Sequence, residues 1–238
     1  RDAGFLPEAM LNYLGMMGYT LPDQREVFSL TELCESFEIK RMSLGGPIFD
    51  IAKLKWLNGK YLREQISRKE VVDRLLNWKA NKEYFSKILE LALPRLETLS
   101  DFFPLSGHLF EEAPEYKTED LIGKSEAAEV SRLFKIAEWE LEKIKNWERE
   151  ELADLFQNMA KIEEMKLKDL LRPFFFAISG SAVSLPLFDG MALLGADLSR
   201  VRLRIALKKL SDAGFSLSKK GLKSLEKKYR SAYGKQID

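Results

Sequence analysis

The chain has 238 residues, 45% of them hydrophobic and 32% charged, with 38 Lys and Arg against 37 Asp and Glu. That length predicts one large or two small domains with a substantial core, and the charged fraction predicts a soluble protein. A single cysteine, Cys34, excludes an internal disulfide and a multi-cysteine zinc site, and no apolar run nears the roughly 20 residues of a membrane helix.

In chain order, nearly every segment reads as helix. The opening Arg1-Asp2-Ala3-Gly4 has neither an initiator Met nor a signal-peptide core, so it reads as an internal start. Pro7-Glu8 predicts the first helix, with proline where a missing amide costs nothing and an acid at the positive end of the dipole. Ser29-Leu30-Thr31-Glu32 and Ser67-Arg68-Lys69-Glu70 carry the capping-box pattern of a helix start. Leu54, Leu57 and Tyr61 fall on one helical face, as do Val130, Leu133, Ala137, Leu141 and Ile144 further on. A soft boundary is expected near Ala80, and residues 114–125 read as a loop. Phe174-Phe175-Phe176-Ala177-Ile178, after Pro173, is the one β-like run; it has nothing to pair with and reads as a buried helical or extended connector. Gly195 is expected to stop a helix, and Leu222, Leu225 and Tyr229 form an apolar stripe on a final basic helix.

Charge is unevenly placed. Residues 199–238 hold twelve Lys and Arg against Asp212, Glu226 and Asp238, a local +9 that leaves −8 on residues 1–198. A basic end on an acidic body suggests a polyanionic partner, with a solvated helix face as the alternative.

Catalytic chemistry is hard to assemble. His108 is the only histidine, without a Cys beside it or a strand-turn-helix serine, so neither a triad nor a zinc site is expected and the imidazole reads as structural. Ser179-Gly180-Ser181 offers amides to a phosphate but lacks the lysine and spacing of a P-loop.

Two stretches carry more specific information: Gly4-Phe5-Leu6-Pro7-Glu8-Ala9-Met10-Leu11-Asn12-Tyr13-Leu14 and Phe49-Asp50-Ile51-Ala52-Lys53-Leu54-Lys55-Trp56-Leu57-Asn58-Gly59-Lys60-Tyr61-Leu62-Arg63. They closely resemble the region of bacterial glutamyl-tRNA synthetases between the catalytic lysine loop and the anticodon-binding domain. The resemblance implies an all-α fold: a stem-contact helical unit over residues 1–80, a helical anticodon-binding domain over 81–210, and a basic helical extension over 211–238 beyond the usual end of the family. Lys40-Arg41-Met42-Ser43 looks like the ATP-steadying loop of class I synthetases but lies downstream of where the family carries it, and the His-Ile-Gly-His signature is absent. The implied role is therefore non-catalytic recognition of tRNA(Glu), with ATP and Mg²⁺ used by the whole ligase and no cofactor in this stretch. A cytoplasmic monomer with no membrane partner is implied as well.

Site residues follow from the same resemblance. Tyr61-Leu62-Arg63-Glu64 is similar to the family's Tyr-Ile-Arg-Glu, which gives Arg63 a tRNA contact. Pro94-Arg95-Leu96-Glu97-Thr98-Leu99 resembles Pro-Arg-Phe-Asp-Thr-Leu, whose arginine accepts the third-position cytosine of glutamate tRNA and rejects the guanine of glutamine tRNA; Arg95 inherits that task. Lys87 stands where a second arginine is common, and keeps the charge but not the fork, as for a phosphate contact. Pro173–Ser181 is similar to Pro-Leu-Arg-x-Ala-Leu-Thr-Gly-Ser, with Phe175 in place of an arginine, so a stacking or a core role stands open for it. Ser184, Leu185 and Leu187 match positions around the anticodon bases, and Lys219, Lys220 and Lys223 are candidate RNA cations on the basic tail. Two other classes stay open: a duplicated synthetase with altered tRNA specificity, or a helical protein-interaction scaffold using the acidic stretch 138–164.

Overall fold

The computed structural model describes residues 3–43, 45–215 and 217–234. Arg1, Asp2, Lys235 and the last residues of the tail, included in the sequence expectations above, lie outside the described residues. Among the described residues every regular element is a helix, and one isolated antiparallel bridge joins Tyr19 and Met42. The chain divides into two compact units, Arg1–Lys82 and Glu83–Asp238.

The first unit contains α1 (Pro7–Gly18), α2 (Leu30–Ser36), α3 (Ile51–Lys60) and α4 (Arg68–Trp78). Pro7 occupies the first turn of α1, and Ser29 with Glu32 forms the reciprocal capping box at α2; at α4 only the Ser67 half is made. Leu54, Leu57 and Tyr61 are buried against Leu6, Ala9 and Tyr13, so the stripe on α3 packs on α1. Polar bonds fix that packing. Asn58 Oδ1 accepts from the Leu6 amide at 2.8 Å, and the Tyr61 hydroxyl reaches the Phe28 carbonyl at 2.7 Å and Asn12 Oδ1 at 3.0 Å. Where α3 ends, the chain widens into a π-helical turn over Tyr61–Gln65, closed by Ile66 N–H on the Tyr61 carbonyl at 3.2 Å. Such turns disturb the regular register and often carry function.

The second unit contains α5 (Lys82–Ala92), α6 (Phe102–Ser106), α7 (Thr118–Ile122), α8 (Ala127–Leu141), α9 (Arg149–Ile162), α10 (Leu167–Ser179), α11 (Leu187–Leu194), α12 (Ala196–Asp212) and α13 (Lys219–Tyr233). Here α8 packs on α12, α9 on α11, and α10 on α7 and α12. Phe174 meets Phe134 and Phe156 edge-on, with ring centroids 4.9 and 4.8 Å apart, at the centre of the core. The β-like run after Pro173 is therefore helical, as the last two turns of α10. Pro173 sits inside that helix and removes one ladder bond, which burial of its aromatic neighbours outweighs.

Two expectations need correction. Residues 114–125 are not wholly loop: α7 lies within them, because Leu121 is drawn into the core. Ile144 falls past the end of α8, whose buried stripe stops at Leu141. At Ser179-Gly180-Ser181, already set apart from a P-loop by its spacing, the Ser179 hydroxyl lies within bonding distance of the Phe175 and Ser181 carbonyls, at 2.8 and 2.9 Å, and closes the turn on itself. Gly180 there has φ +74°, and a Cβ would stand 2.7 Å from Pro114 Cβ and 3.0 Å from the Glu115 carbonyl oxygen. Gly180→Ala is expected to lower stability by about 1–2 kcal/mol, from left-handed backbone strain and the clash. A urea midpoint that does not move would contradict this account.

Candidate nucleic-acid interface

Each unit presents its own cations. In the first, Arg63 lies on the π-helical turn, exposed, with no acid partner among the described residues. Its neighbour Glu64 is turned instead toward Lys60, 3.6 Å away. Gly59 makes the seat: a Cβ there would lie 2.8 Å from Arg63 Nη1, so the guanidinium folds back over a bare backbone. Trp56, one turn earlier and 40% exposed, has the Lys53 ammonium 4.1 Å and the Lys60 ammonium 5.5 Å from its ring centre. A flat apolar ring flanked by cations suits a sugar-phosphate chain, and sequence reasoning missed it. The signal was available: residues 53, 56, 60 and 63 recur at helical spacing.

In the second unit, Pro94 ends α5 and the chain tightens into a 3₁₀ turn, Leu93–Arg95. Arg95 is exposed, and its Nη1 donates to the Ser184 carbonyl. The contact anchors one edge of the guanidinium and leaves the rest of the fork in solvent. Arg95 and the Ser184 backbone are thus brought together.

The neighbours of Arg95 differ from expectation. Ser184, Leu185 and Leu187 are all buried, Leu185 and Leu187 within the core and the Ser184 hydroxyl near the Leu185 carbonyl at 3.2 Å. Their side chains form the wall behind the arginine and offer no face to a base. Phe175 also packs against the core, which favours its core role over stacking. The apolar surface near Arg95 comes from residues the sequence did not single out: Leu93, Leu99 and Val183 are 61, 89 and 69% exposed. Each lies within four residues of Arg95 or adjoins its carbonyl partner. Lys87 is paired with Glu83 at 2.8 Å, an exposed i,i+4 bridge worth a few tenths of a kcal/mol that a phosphate can displace.

The basic tail is less cationic than its sequence suggests. Arg202 is fully buried; its Nη2 donates to the His108 and Glu111 carbonyls at 2.6 Å each, its Nε to Glu112 O at 3.2 Å and its Nη1 to Ile178 O. Burial pulls its pKa down to about 10, so it remains charged at neutral pH. Arg200 caps the last carbonyl of α8, Leu141 O, at 2.7 Å; Arg204 pairs with Glu138 at 2.8 Å; Lys209 donates to Tyr116 O. On α13 the apolar stripe extends beyond the expected residues: Leu225 and Tyr233 are buried and Tyr229 packs against the core, whereas Leu222 is exposed at the rim of a hollow of about 210 Å³ with Phe215 and Leu217. Lys219, Lys220 and Lys223 are exposed and have no partner among the described residues.

Comparison with known proteins gives the family. The family model described as an anticodon binding domain matches residues 69–207, and the one described as the class I (E and Q) tRNA synthetase catalytic domain matches residues 1–56. The glutamate–tRNA ligase of Pseudoalteromonas translucida is 41% identical over 231 residues, which are 97% of this chain and 46% of that protein. The ligase of Pseudomonas putida strain GB-1 is 44% identical over 225 residues, 94% of this chain and 45% of that one. The chain thus spans a little under half the length of these relatives. A solved glutamate tRNA ligase from Elizabethkingia meningosepticum shares the fold, with a TM-score of 0.50 at 23% identity over 87% of this chain and 42% of that one. The anticodon binding domain model stops at residue 207, and the Pseudoalteromonas match takes in 231 of the 238 residues. By the match over residues 69–207, the chain belongs to the anticodon-binding domain family, in the form found in glutamate–tRNA ligases.

Proposed function

We propose that this chain holds tRNA(Glu) for a glutamate–tRNA ligase and reads the third base of its anticodon with Arg95. In this reading residues 1–80 contact the tRNA stem through Arg63, residues 81–210 contact the anticodon, and residues 211–238 carry added cations. Lys87 meets a phosphate, while Ser184, Leu185, Leu187 and Phe175 hold the wall from which Arg95 projects. The work takes place in the cytoplasm, in a monomer.

The observation that carries the reading is the half-anchored guanidinium. Arginine has donors and no acceptor. Cytosine offers two adjacent acceptors, O2 and N3, on its Watson–Crick edge, whereas guanine offers N1–H and N2–H donors at the corresponding positions. A fork fixed by the Ser184 carbonyl thus bonds the first base and faces unpaired donors on the second. Leu93, Leu99 and Val183 supply apolar faces for the unstacked bases, worth about 1–3 kcal/mol per base.

ATP and Mg²⁺ belong to the activation chemistry of a whole ligase, and the residues here do not fit them. The Lys40–Ser43 segment is tied down by the Tyr19–Met42 bridge and by Ser43 N–H on the Gly18 carbonyl at 2.9 Å. Among the described residues no three His, Cys, Asp or Glu side chains converge. The part played by this chain is positioning and identity.

The test is binding of tRNA transcripts that differ only in the third anticodon base. Wild type is expected to favour cytosine over guanine, and Arg95→Gln to lose about 1–3 kcal/mol of that preference because its amide both donates and accepts. Equal discrimination by both proteins would remove Arg95 from the reading.

A further inference from the structure

We propose that α13 presents a sequence-blind phosphate-binding ridge, formed by Lys219, Lys220, Lys223 and Lys227, that grips the sugar-phosphate backbone of the tRNA. The proposal rests on the tRNA reading above and adds a second kind of contact to it.

Partner assignment sets most of the basic tail aside, and position sets aside Lys208, which lies on α12, and Lys228, which falls outside the arc that the four lysines share, although both are exposed. Arg200, Arg202, Arg204 and Lys209 are bound within the fold, and Arg230 pairs with Glu226 at 2.6 Å. Lys219, Lys220, Lys223 and Lys227 are exposed and have no partner among the described residues. At about 100° per residue they fall within one arc of the helix, roughly opposite Leu225 and Tyr229. From Lys219 to Lys227 the ridge rises about 12 Å, or three to four phosphates at ~3.4 Å of axis each.

The other face of α13 is locked. The Tyr229 hydroxyl donates to Glu140 at 2.6 Å and the Tyr233 hydroxyl to Glu163 at 2.9 Å, while Trp139 packs on Tyr229 with ring centres 4.7 Å apart. These bonds fix which side of the helix meets solvent. Folding alone disfavours what lies there. The first turn of α13 contains no acid and carries Lys219 and Lys220 at the positive end of the helix dipole, with like charges one turn apart.

Charge complementarity selects the occupant. A membrane-surface helix needs a free apolar face, and here Leu225 and Tyr233 are buried in the body. A protein interface is depleted in lysine and centres on aromatic or arginine anchors, whereas this ridge intersperses lysines with Ser224 and Ser231. Lysine ammoniums on a rigid helix suit phosphates, which they hold as point charges without reading sequence.

The experiment uses the 238-residue chain with Lys219, Lys220, Lys223 and Lys227 all changed to Gln, in filter binding to tRNA(Glu) transcript from about 50 to 200 mM salt. Each lost contact lowers the slope of log affinity against log salt by about 0.7–0.9. A total fall of about 2–3.5 is expected, so wild type loses roughly 20- to 100-fold more affinity across that range than the variant does. The third-base preference should be unchanged, and the all-arginine version of the same four positions should keep the wild-type slope. An unchanged slope, as for a protein or membrane partner, overturns the ridge, and so does loss of base preference together with affinity. If the glutamine variant does not fold, the arginine version decides alone, since loss of its slope also overturns the proposal. Failure of wild type to bind tRNA at about 50 mM salt overturns the tRNA reading itself.

Discussion

Arg202→Met is expected to destabilise the second unit by about 3–5 kcal/mol, read as a fall in the urea midpoint of far-UV ellipticity. The side chain is wholly buried and pairs with no carboxylate among the described residues; it gathers the carbonyls of His108, Glu111, Glu112 and Ile178. Methionine fills similar space but leaves four acceptors with no donor, each worth about 1–3 kcal/mol if it stays dry. Relaxation and water entry bring the sum down to the stated range. Arg202→Lys separates charge from shape: an ammonium cannot span four carbonyls, so lysine should recover only part of the loss. Full recovery by lysine would mean that charge alone matters and that the carbonyl network does not. Function should follow stability here. Arg202 joins α12 to the last turn of α10, which leads directly into the segment bearing the Ser184 carbonyl. A loosened α10 end lets the Arg95 fork swing, so third-base preference should fall in Arg202→Met even under conditions where the variant is folded.

Arg202 also marks the limit of what the sequence disclosed. Helical spacing puts it on the buried stripe of α12 between Leu198 and Ala206, so its burial was in principle readable. Counting charges instead placed it in a basic patch. The count is local, but partners such as Ile178 and His108 are brought in by the tertiary fold. The same distinction runs through the candidate site. The stripe of Leu54, Leu57 and Tyr61 was readable because burial of a helical face follows from periodicity. The π-helical turn beneath Arg63 was not readable, because it accompanies a Tyr61 hydroxyl that reaches across to Phe28 and Asn12. Around Arg95, resemblance singled out Ser184, Leu185 and Leu187 by position. Burial then turned those side chains inward and left Leu93, Leu99 and Val183 on the surface. Position in a motif says where the chain passes; only packing decides which atoms a base can meet.

The second large effect is a dependence of stability on pH that should be traceable to one side chain. His108 is buried, and burial, with the nearby Arg202 charge adding to it, pulls its pKa down to about 4 from an ordinary 6.5. The unfolded chain takes up a proton near pH 6.5 that the folded chain refuses until about pH 4. The unfolded state therefore binds more protons between those limits, and stability falls as pH falls. The contribution is fully present above about pH 6.5 and is lost progressively down to about pH 4, for a total on the order of 3 kcal/mol. The acids that support the fold, such as Glu138 beside Arg204 and Lys135, have their pKa lowered below the usual carboxylate value, so they come into play only at the acid end. Between pH 6.5 and 5 the slope should belong to His108. His108→Gln is expected to flatten that slope even though it lowers stability at every pH. The protein has no other histidine, so its imidazole proton resonance can be followed without assignment. A folded-state titration midpoint near 6.5, or an unaltered slope in the glutamine variant, would show that the imidazole is solvated.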